Sequence, residues 1–329
     1  MIMLTLSSKI EYWPMRESFE IARQTMTKLP LLAIRLTDEN GVSGHAEAAG
    51  VDYDGETPAS MAAQIEAVLH ELQVDIPSDE LNRLLPSGGA RNAVDCALWD
   101  LRAKISGAPA WKSAGLARLD TVITAFTIGL GSANETRQKA RLASNMPLIK
   151  VKVDRQRHLD IVSIVREELP KARLILDANQ AWDIGLLETL LPQLQAVGVE
   201  LIEQPLPGNK DESLVHLQSP IPIAADESCS DRTTLSSLAE KYQAVNIKLD
   251  KCGGLTEALK MISMARELNL DVMVGNMCGT SLGMAPAFLV AQWAKWVDLD
   301  GPLLQLGDRP FPMEYFDGFI QPPSPELWG

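Results

Sequence analysis

LIKVKVDRQRHLDIVSIVREELPKARLILD, residues 148–177, spells out one complete β-α-β unit. Its two ends are short runs of Val, Ile and Leu. Between them, residues 158–169 space their apolar side chains three and four apart, as a helix does. The same rhythm extends outward in VITAFTI (122–128), VELIE (199–203), IPIAAD (221–226), AVNIKL (244–249), DVMVG (271–275) and WVDLD (296–300). Further helical segments lie at 183–197 and 255–268. Near-continuous apolar strands alternating with helices indicate a parallel sheet covered on both faces, and eight such runs indicate a β/α barrel. The span is short for eight full units, so one helix is expected to be reduced or missing.

Upstream the rhythm differs. Residues 4–13, 31–36 and 42–47 read as strands, with bends at Gly41 and Gly44. Helical patterns follow at 57–73 and 90–106, so the first part is an α+β unit. The tail, GDRPFPMEYFDGF and QPPSPELWG, is rich in Pro and Gly and is expected to fold back onto that unit. The expected division is residues 1–118 with the tail 305–329 as one domain, and 119–304 as the barrel. Trp293 and Trp296 read as packing residues of the last helix.

What ends the barrel strands points to chemistry. Side chains alternate along a strand, so Lys150 and Lys152 share a face. The next runs end in Asp177, Glu203 and Asp226, and the sixth carries Lys248. The intervals are 25 residues from Lys152 to Asp177, then 26 to Glu203, 23 to Asp226 and 22 to Lys248. Each is about one β/α unit, which brings the charges to the C-terminal mouth, where barrel enzymes keep their chemistry. Singly, each acid is as well explained as a helix N-cap or a turn residue. Together, three carboxylates need a cation, and three protein oxygens suit an octahedral Mg²⁺. Two ammonium groups side by side lower each other's proton affinity, which would make a lysine a base near neutral pH. Lys248, four strands from Lys152, would face it across the mouth. One neutral lysine could take a proton from carbon beside a carboxylate, while a protonated lysine opposite returns one to the other face.

Composition narrows the classes. The formal charge of −13 argues against nucleic acid and anionic membrane surfaces as partners. No apolar run approaches the roughly 18 residues of a membrane helix, and MIMLTLSSKIEYW reads as a strand rather than a signal peptide. Cys96, Cys229, Cys252 and Cys278 form no CxxC pair, and His45, His70, His158 and His216 have no ligand spacing. Zinc and a disulfide framework are therefore not expected, and a reducing cytoplasm is. Gly129-Leu130-Gly131 lacks the third glycine of a dinucleotide fingerprint, since Asn134 stands there. Gly253-Gly254 before a helix needs no phosphate to explain it. A homo-oligomer is left open.

KVK at 150–152, DAN at 177–179, EQP at 203–205, DES at 226–228 and KLDKCGG at 248–254 together resemble the enolase superfamily, muconate-lactonizing-enzyme subgroup. ARNAVDCALWDL at 90–101 resembles the helix of its capping domain, so the likeness spans essentially the whole chain. The resemblance implies an α+β cap over a modified (β/α)7β TIM-type barrel without a regular eighth helix. It also implies Asp177, Glu203 and Asp226 as Mg²⁺ ligands, Lys152 and Lys248 as the acid/base pair, and Lys150 as a stabiliser of the enolate charge.

Asp298-Leu299-Asp300 resembles the DxD motif of dipeptide epimerases, where it binds the substrate's α-ammonium group. Arg23 takes the place of an arginine that meets a glutamate side chain, and Thr127 matches a substrate-contacting position. The implied activity is epimerisation of a dipeptide, L-Ala-D/L-Glu of murein peptide recycling in particular. Muconate cycloisomerisation, o-succinylbenzoate synthesis and N-acyl amino acid racemisation use the same lysine pair and stay open. A ligand-binding protein on a degenerate barrel should have lost members of the charged set, and none is lost here.

Overall fold

Alternating apolar residues in the N-terminal segment build one wall of a small core. The computed structural model describes residues 4–21 and 24–329. Strands β1 (Thr5–Ile21), β2 (Gln24–Thr37) and β3 (Ser43–Ala48) form an antiparallel sheet in that order. Leu32, Ile34 and Leu36 of β2 and Ala46 and Ala48 of β3 bury their side chains. They pack on α3 (Gly89–Ser106), whose Ala93, Val94, Ala97, Leu98 and Leu101 are buried in return. Before it come α1 (Pro58–Val68), opened by a capping box between Thr57 and Ser60, and α2 (Ser78–Leu84). The helix expected over 57–73 stops at Val68 and tightens into a 3₁₀ turn, Leu69–Glu71. Arg23 lies outside the described residues.

Gly44 is where β3 and α3 touch. A Cβ there would run into the Ala97 carbonyl oxygen and come 2.5 Å from Leu101 N, both backbone atoms that cannot rotate aside. Gly44→Ala is therefore expected to destabilise the protein by about 3 kcal/mol or more, read as a lowered urea midpoint. An unchanged midpoint would show that the helix can shift without penalty.

The second unit is a curled parallel sheet of eight strands: β4 (Phe126–Ile128), β5 (Leu148–Lys152), β6 (Arg173–Asp177), β7 (Val199–Glu203), β8 (Ile223–Ala225), β9 (Ala244–Ile247), β10 (Asp271–Val274) and β11 (Trp296–Val297). They pair in chain order, and Ala125 N donates to Val297 O at 2.7 Å, which brings the last strand against the first. Helices α4 (Ala133–Leu142), α5 (Leu159–Glu168) and α6 (Ile184–Ala196) cover the outside of β4 to β7. The shortening falls in more than one place. A 3₁₀ segment, Gly208–His216, follows β7, only the single turn α7 (Leu235–Leu238) follows β8, and a 3₁₀ turn, Gly301–Leu304, follows β11.

Past β9 come the single-turn α8 (Leu249–Cys252), α9 (Leu255–Glu267) and α10 (Ser281–Ala291). Trp296 is not on the last helix. It lies on β11, buried, with its Nε1 donating to Glu200 Oε1 at 2.7 Å. The two-residue period of WVDLD, rather than helical spacing, governs it.

The C-terminal segment returns to the first unit. Trp328 Nε1 donates to Cys96 O at 3.1 Å, Gly329 N to Asp100 Oδ1 at 2.8 Å, and Ala110 N to Gly329 O at 2.8 Å. No helix among the described residues is long and apolar enough to cross a membrane.

Candidate active site

Two-residue alternation stratifies the inside of the barrel. Ala125, Leu148, Ile175, Leu201, Ala224, Ala244, Met273 and Trp296 form a separate apolar cluster. Two residues further along each strand stand Thr127, Lys150, Asp177, Glu203, Asp226, Asn246, Gly275 and Asp298. Another two along β5, and along the runs that continue β9 and β11, stand Lys152, Lys248 and Asp300. The apolar floor is thus overlain by polar groups, and register aligns some of them directly: Lys152 pairs with Asp177, and Asp177 with Glu203.

The charges meet closely. Lys150 Nζ lies 2.7 Å from Glu203 Oε2, 2.8 Å from Asp298 Oδ2 and 3.1 Å from Asp177 Oδ2. The approach to Glu203 Oε2 is an ion contact without hydrogen-bond alignment. Lys152 Nζ donates to Asp177 Oδ2 at 2.6 Å and Asn179 Oδ1 at 2.9 Å. Lys248 Nζ donates to Asp226 Oδ2 at 2.7 Å. From behind, Lys251 Nζ donates to Asp226 Oδ1 at 2.5 Å and to the Asp226 carbonyl. Asn246 Nδ2 donates to Glu203 Oε1 at 2.8 Å. Thr127 N donates to Asp300 Oδ2 at 2.8 Å, and Thr127 Oγ1 lies 3.5 Å from Asp298 Oδ1.

Burial and neighbours set the protonation. Burial alone would lower Lys150 and Lys248, but the surrounding carboxylates outweigh it and raise both. For Lys150 this corrects the expectation from its pairing with Lys152: the carboxylates around it dominate over repulsion between ammonium groups. Burial raises Glu203, and Asp177 adds to the rise, taking it up to about 8. Asp300 is raised to about 7 by burial and by Asp298, and Glu227 is raised by burial and Asp226. Asp177 is held down at about 2, because Lys152 and Lys150 more than offset its burial. Asp226 is likewise lowered, Lys248 and Lys251 outweighing burial.

Those directions test the site against a cation. Among the described residues, Asp177, Glu203, Asp226, Glu227, Asp298 and Asp300 gather with Lys150, Lys152, Lys248 and Lys251, so these ten groups, fully ionised, carry two negative charges in excess. Burial and this excess of carboxylates raise Glu203, Asp300 and Glu227. One divalent ion would balance the sum, and an all-oxygen donor set suits a hard one. Among the described residues no three carboxylates close on one point; Asp177, Glu203 and Asp226 are each engaged by an ammonium group instead. The residues present fit a divalent cation in chemistry and in charge.

Above this layer is a cavity of about 590 Å³. Lys152, Lys248, Asp226, Asn179 and Glu227 line its floor, Ala49, Gly50, Tyr53 and Glu56 form its cap wall, and Asn276–Cys278 its side. The two lysines expected to face a substrate do open into one cavity. Asp298 and Asp300 are buried beside Lys150 and Thr127.

Residue-type reasoning passed over Asn246, Asn179, Lys251 and Gly275. Asn246 carried a signal, since it precedes Lys248 by two and must face inward with it. Gly275 did not: a Cβ there would lie 2.7 Å from Asn246 Oδ1 and 3.0 Å from Lys248 Cε, so its lack of a side chain leaves room for the lysine stem.

Known proteins carry the same arrangement of domains. Residues 3–115 match the mandelate racemase/muconate lactonizing enzyme N-terminal domain, and 133–325 the enolase C-terminal domain-like family. The chain is 41% identical to N-acetyl-D-glutamate racemase of Pseudoalteromonas sp. over 250 residues, covering 76% of this chain and 79% of the relative. It is 37% identical to L-Ala-D/L-Glu epimerase of Escherichia coli over 294 residues, covering 89% and 91%.

Among solved structures, an enolase family member from Agrobacterium tumefaciens with homology to dipeptide epimerases was determined with sodium and L-Ala-L-Glu bound. It superposes with a TM-score of 0.94 at 39% identity, covering 99% of this chain and 100% of that one. A dipeptide epimerase from Methylococcus capsulatus, complexed with Mg and L-Arg-D-Lys, gives 0.92 at 29% identity over 100% and 99%.

Proposed function

This chain belongs to the mandelate racemase/muconate lactonizing enzyme family of the enolase superfamily, and from that premise we propose that it is a Mg²⁺-dependent dipeptide epimerase acting on L-Ala-D/L-Glu. The observation that carries the proposal is that Lys152 and Lys248, from the second and sixth barrel strands, line one cavity with carboxylates between them. In a dipeptide only the C-terminal residue has its α-carbon beside a free carboxylate, so that is the centre inverted. We assign Lys152 and Lys248 as the groups that take the α-proton at one Nζ and return a proton from the other on the opposite face.

Asp177, Glu203 and Asp226 would hold Mg²⁺. When bound, the ion supplies positive charge to the substrate carboxylate and takes up the carboxylate charge that otherwise keeps Lys248 protonated. Asp177 and Asn179 orient Lys152, and Asp226 orients Lys248. Lys150, enclosed by three carboxylates, stays protonated and adds fixed positive charge where the substrate gains negative charge. Asp298 and Asp300, with Thr127, would receive the α-ammonium group, and Arg23 the glutamate side chain. The four cysteines are free thiols, in keeping with a cytoplasmic enzyme of murein peptide turnover.

A second reading, racemisation of an N-acylated glutamate, is favoured by the relative at 41% identity. Its substrate has no ammonium group for Asp298 and Asp300. The test is incubation of L-Ala-L-Glu and, separately, N-acetyl-D-glutamate with enzyme and Mg²⁺ in D₂O. Both epimers of the dipeptide should form with deuterium at the glutamate α-carbon. Asp300→Asn should raise KM for the dipeptide about tenfold or more, the scale of a hydrogen bond to a charged group. Turnover of N-acetylglutamate alone would select the second reading, and neither reacting would overturn both.

A further inference from the structure

The turn that forms the cap wall of the cavity is held from the barrel. Asp250 Oδ1 accepts from Ala49 N and from Gly50 N, each at 3.0 Å. Asn92 of α3 hydrogen-bonds the same carboxyl. The next amide along, Val51 N, donates to Glu56 Oε2 at 2.8 Å, and that oxygen also accepts from Gly89 N at 2.9 Å. Three successive amides thus end on carboxylates, two on the barrel's Asp250 and one on the cap's Glu56.

The turn is shaped for this. Gly50 has φ +77, which L side chains rarely adopt, and a Cβ on Gly89 would lie 2.7 Å from Gly50 Cα, so the turn sits flush on the start of α3. On the other side, Asp250 shares the single turn α8 with Lys251, and Lys248 caps that turn. One short helix therefore grips Asp226 through Lys251, positions Lys248, and reaches the cap through Asp250.

We infer that Asp250 is a positioning residue that ties the cap wall Ala49–Tyr53 to the strand end bearing Lys248, and so fixes the width of the substrate cavity between them. It touches neither substrate nor the metal ligands in this role. Its kinetic consequence rests on the dipeptide epimerase reading, whereas its structural consequence does not.

The test uses full-length Mg²⁺-bound enzyme with Asp250→Ala and Asp250→Asn. In Asp250→Ala, amide hydrogen exchange at Ala49 and Gly50 should quicken about tenfold, the scale of one lost hydrogen bond, while exchange in α10 is unchanged. KM for the dipeptide should rise about tenfold, kcat should change by less than about threefold, and Mg²⁺ affinity by calorimetry should hold within about twofold. Asp250→Asn keeps an oxygen that can accept from both amides and should restore both exchange and KM.

Wild-type exchange in the Ala variant, or faster exchange with unchanged KM, would overturn the inference. So would an Asn variant that raises KM while exchange stays normal, since the charge and not the tie would then matter. If the Ala variant does not fold, Asp250→Ser, whose single hydroxyl is one bond too short to reach both amides, carries the same comparison and the same expected changes in exchange and KM. A wild-type enzyme inert on dipeptides would defeat the proposed function alone, leaving the exchange measurements to decide the tie.

Discussion

Lys152→Met and Lys248→Met are each expected to lower epimerisation by about 10³-fold or more, while the purified proteins keep the wild-type melting temperature within a few degrees. General acid–base groups contribute about 10²- to 10⁴-fold, and inversion needs a group on each face, so losing either stops the net reaction. Methionine keeps most of the apolar stem, which at Lys248 passes Gly275, and removes the ammonium group. In the Lys248 variant Asp226 retains Lys251 at 2.5 Å, so its charge is not left without a partner. The informative readout is α-proton exchange in D₂O. Each variant should still wash deuterium into one epimer, the one whose α-proton faces the remaining lysine, and the two variants should show opposite preferences. Normal epimerisation by both would end the two-lysine mechanism.

Removal of the divalent ion should have an effect of similar size. Glu203→Gln should weaken Mg²⁺ binding by more than about 100-fold, beyond the 10- to 100-fold typical of residues that merely support a metal ligand, and activity should fall with it. Calorimetry separates this from damage to the lysines; unaltered Mg²⁺ affinity would remove Glu203 from the ligand set.

The ion-free protein should also respond to pH with a definite sign. Glu203 is raised to about 8, and Asp300 and Asp250 to about 7, so the folded chain binds protons that the unfolded chain has released above about pH 5. Stability in EDTA should therefore fall as pH rises from about 5 to about 8. Asp177, lowered to about 2, acts in the other sense but only below about pH 4. Mg²⁺ held by Glu203 would displace the proton there, so the rise in melting temperature it causes should grow across the same window. A pH-independent rise would show that the ion does not compete with a proton at Glu203.

Much of this was legible in the chain itself. Alternation by two makes Lys150 and Lys152 share a face, and intervals of one β/α unit carry Asp177, Glu203, Asp226 and Lys248 to the same end of successive strands. These are consequences of covalent geometry and hydrophobic pattern, and the structure brings Lys152, Asp226 and Lys248 to one cavity. Two further features were not legible. The protonation of Lys150 and Lys248 depends on carboxylates contributed by other strands, with Asp298 148 residues from Lys150. Spacing predicted that Lys150 would be depressed by its neighbour Lys152, whereas the acids around Lys150 raise it. The short span pointed to a reduced helix, but the further shortening after β7 and β8 reflects how outer layers pack, a matter of local chain length and partners rather than period.

The strand pattern by itself determined which side chains point inward and at which end of the barrel they collect, because alternation and repeat length are properties of the backbone. Only the tertiary structure decided which of them touch. The Asp250 carboxylate meets Ala49 N from 201 residues away, and Lys251, not Lys248 alone, holds Asp226. Such contacts depend on how the strands stagger and on how the cap lies over the barrel. Neither quantity is written in any local stretch of residues.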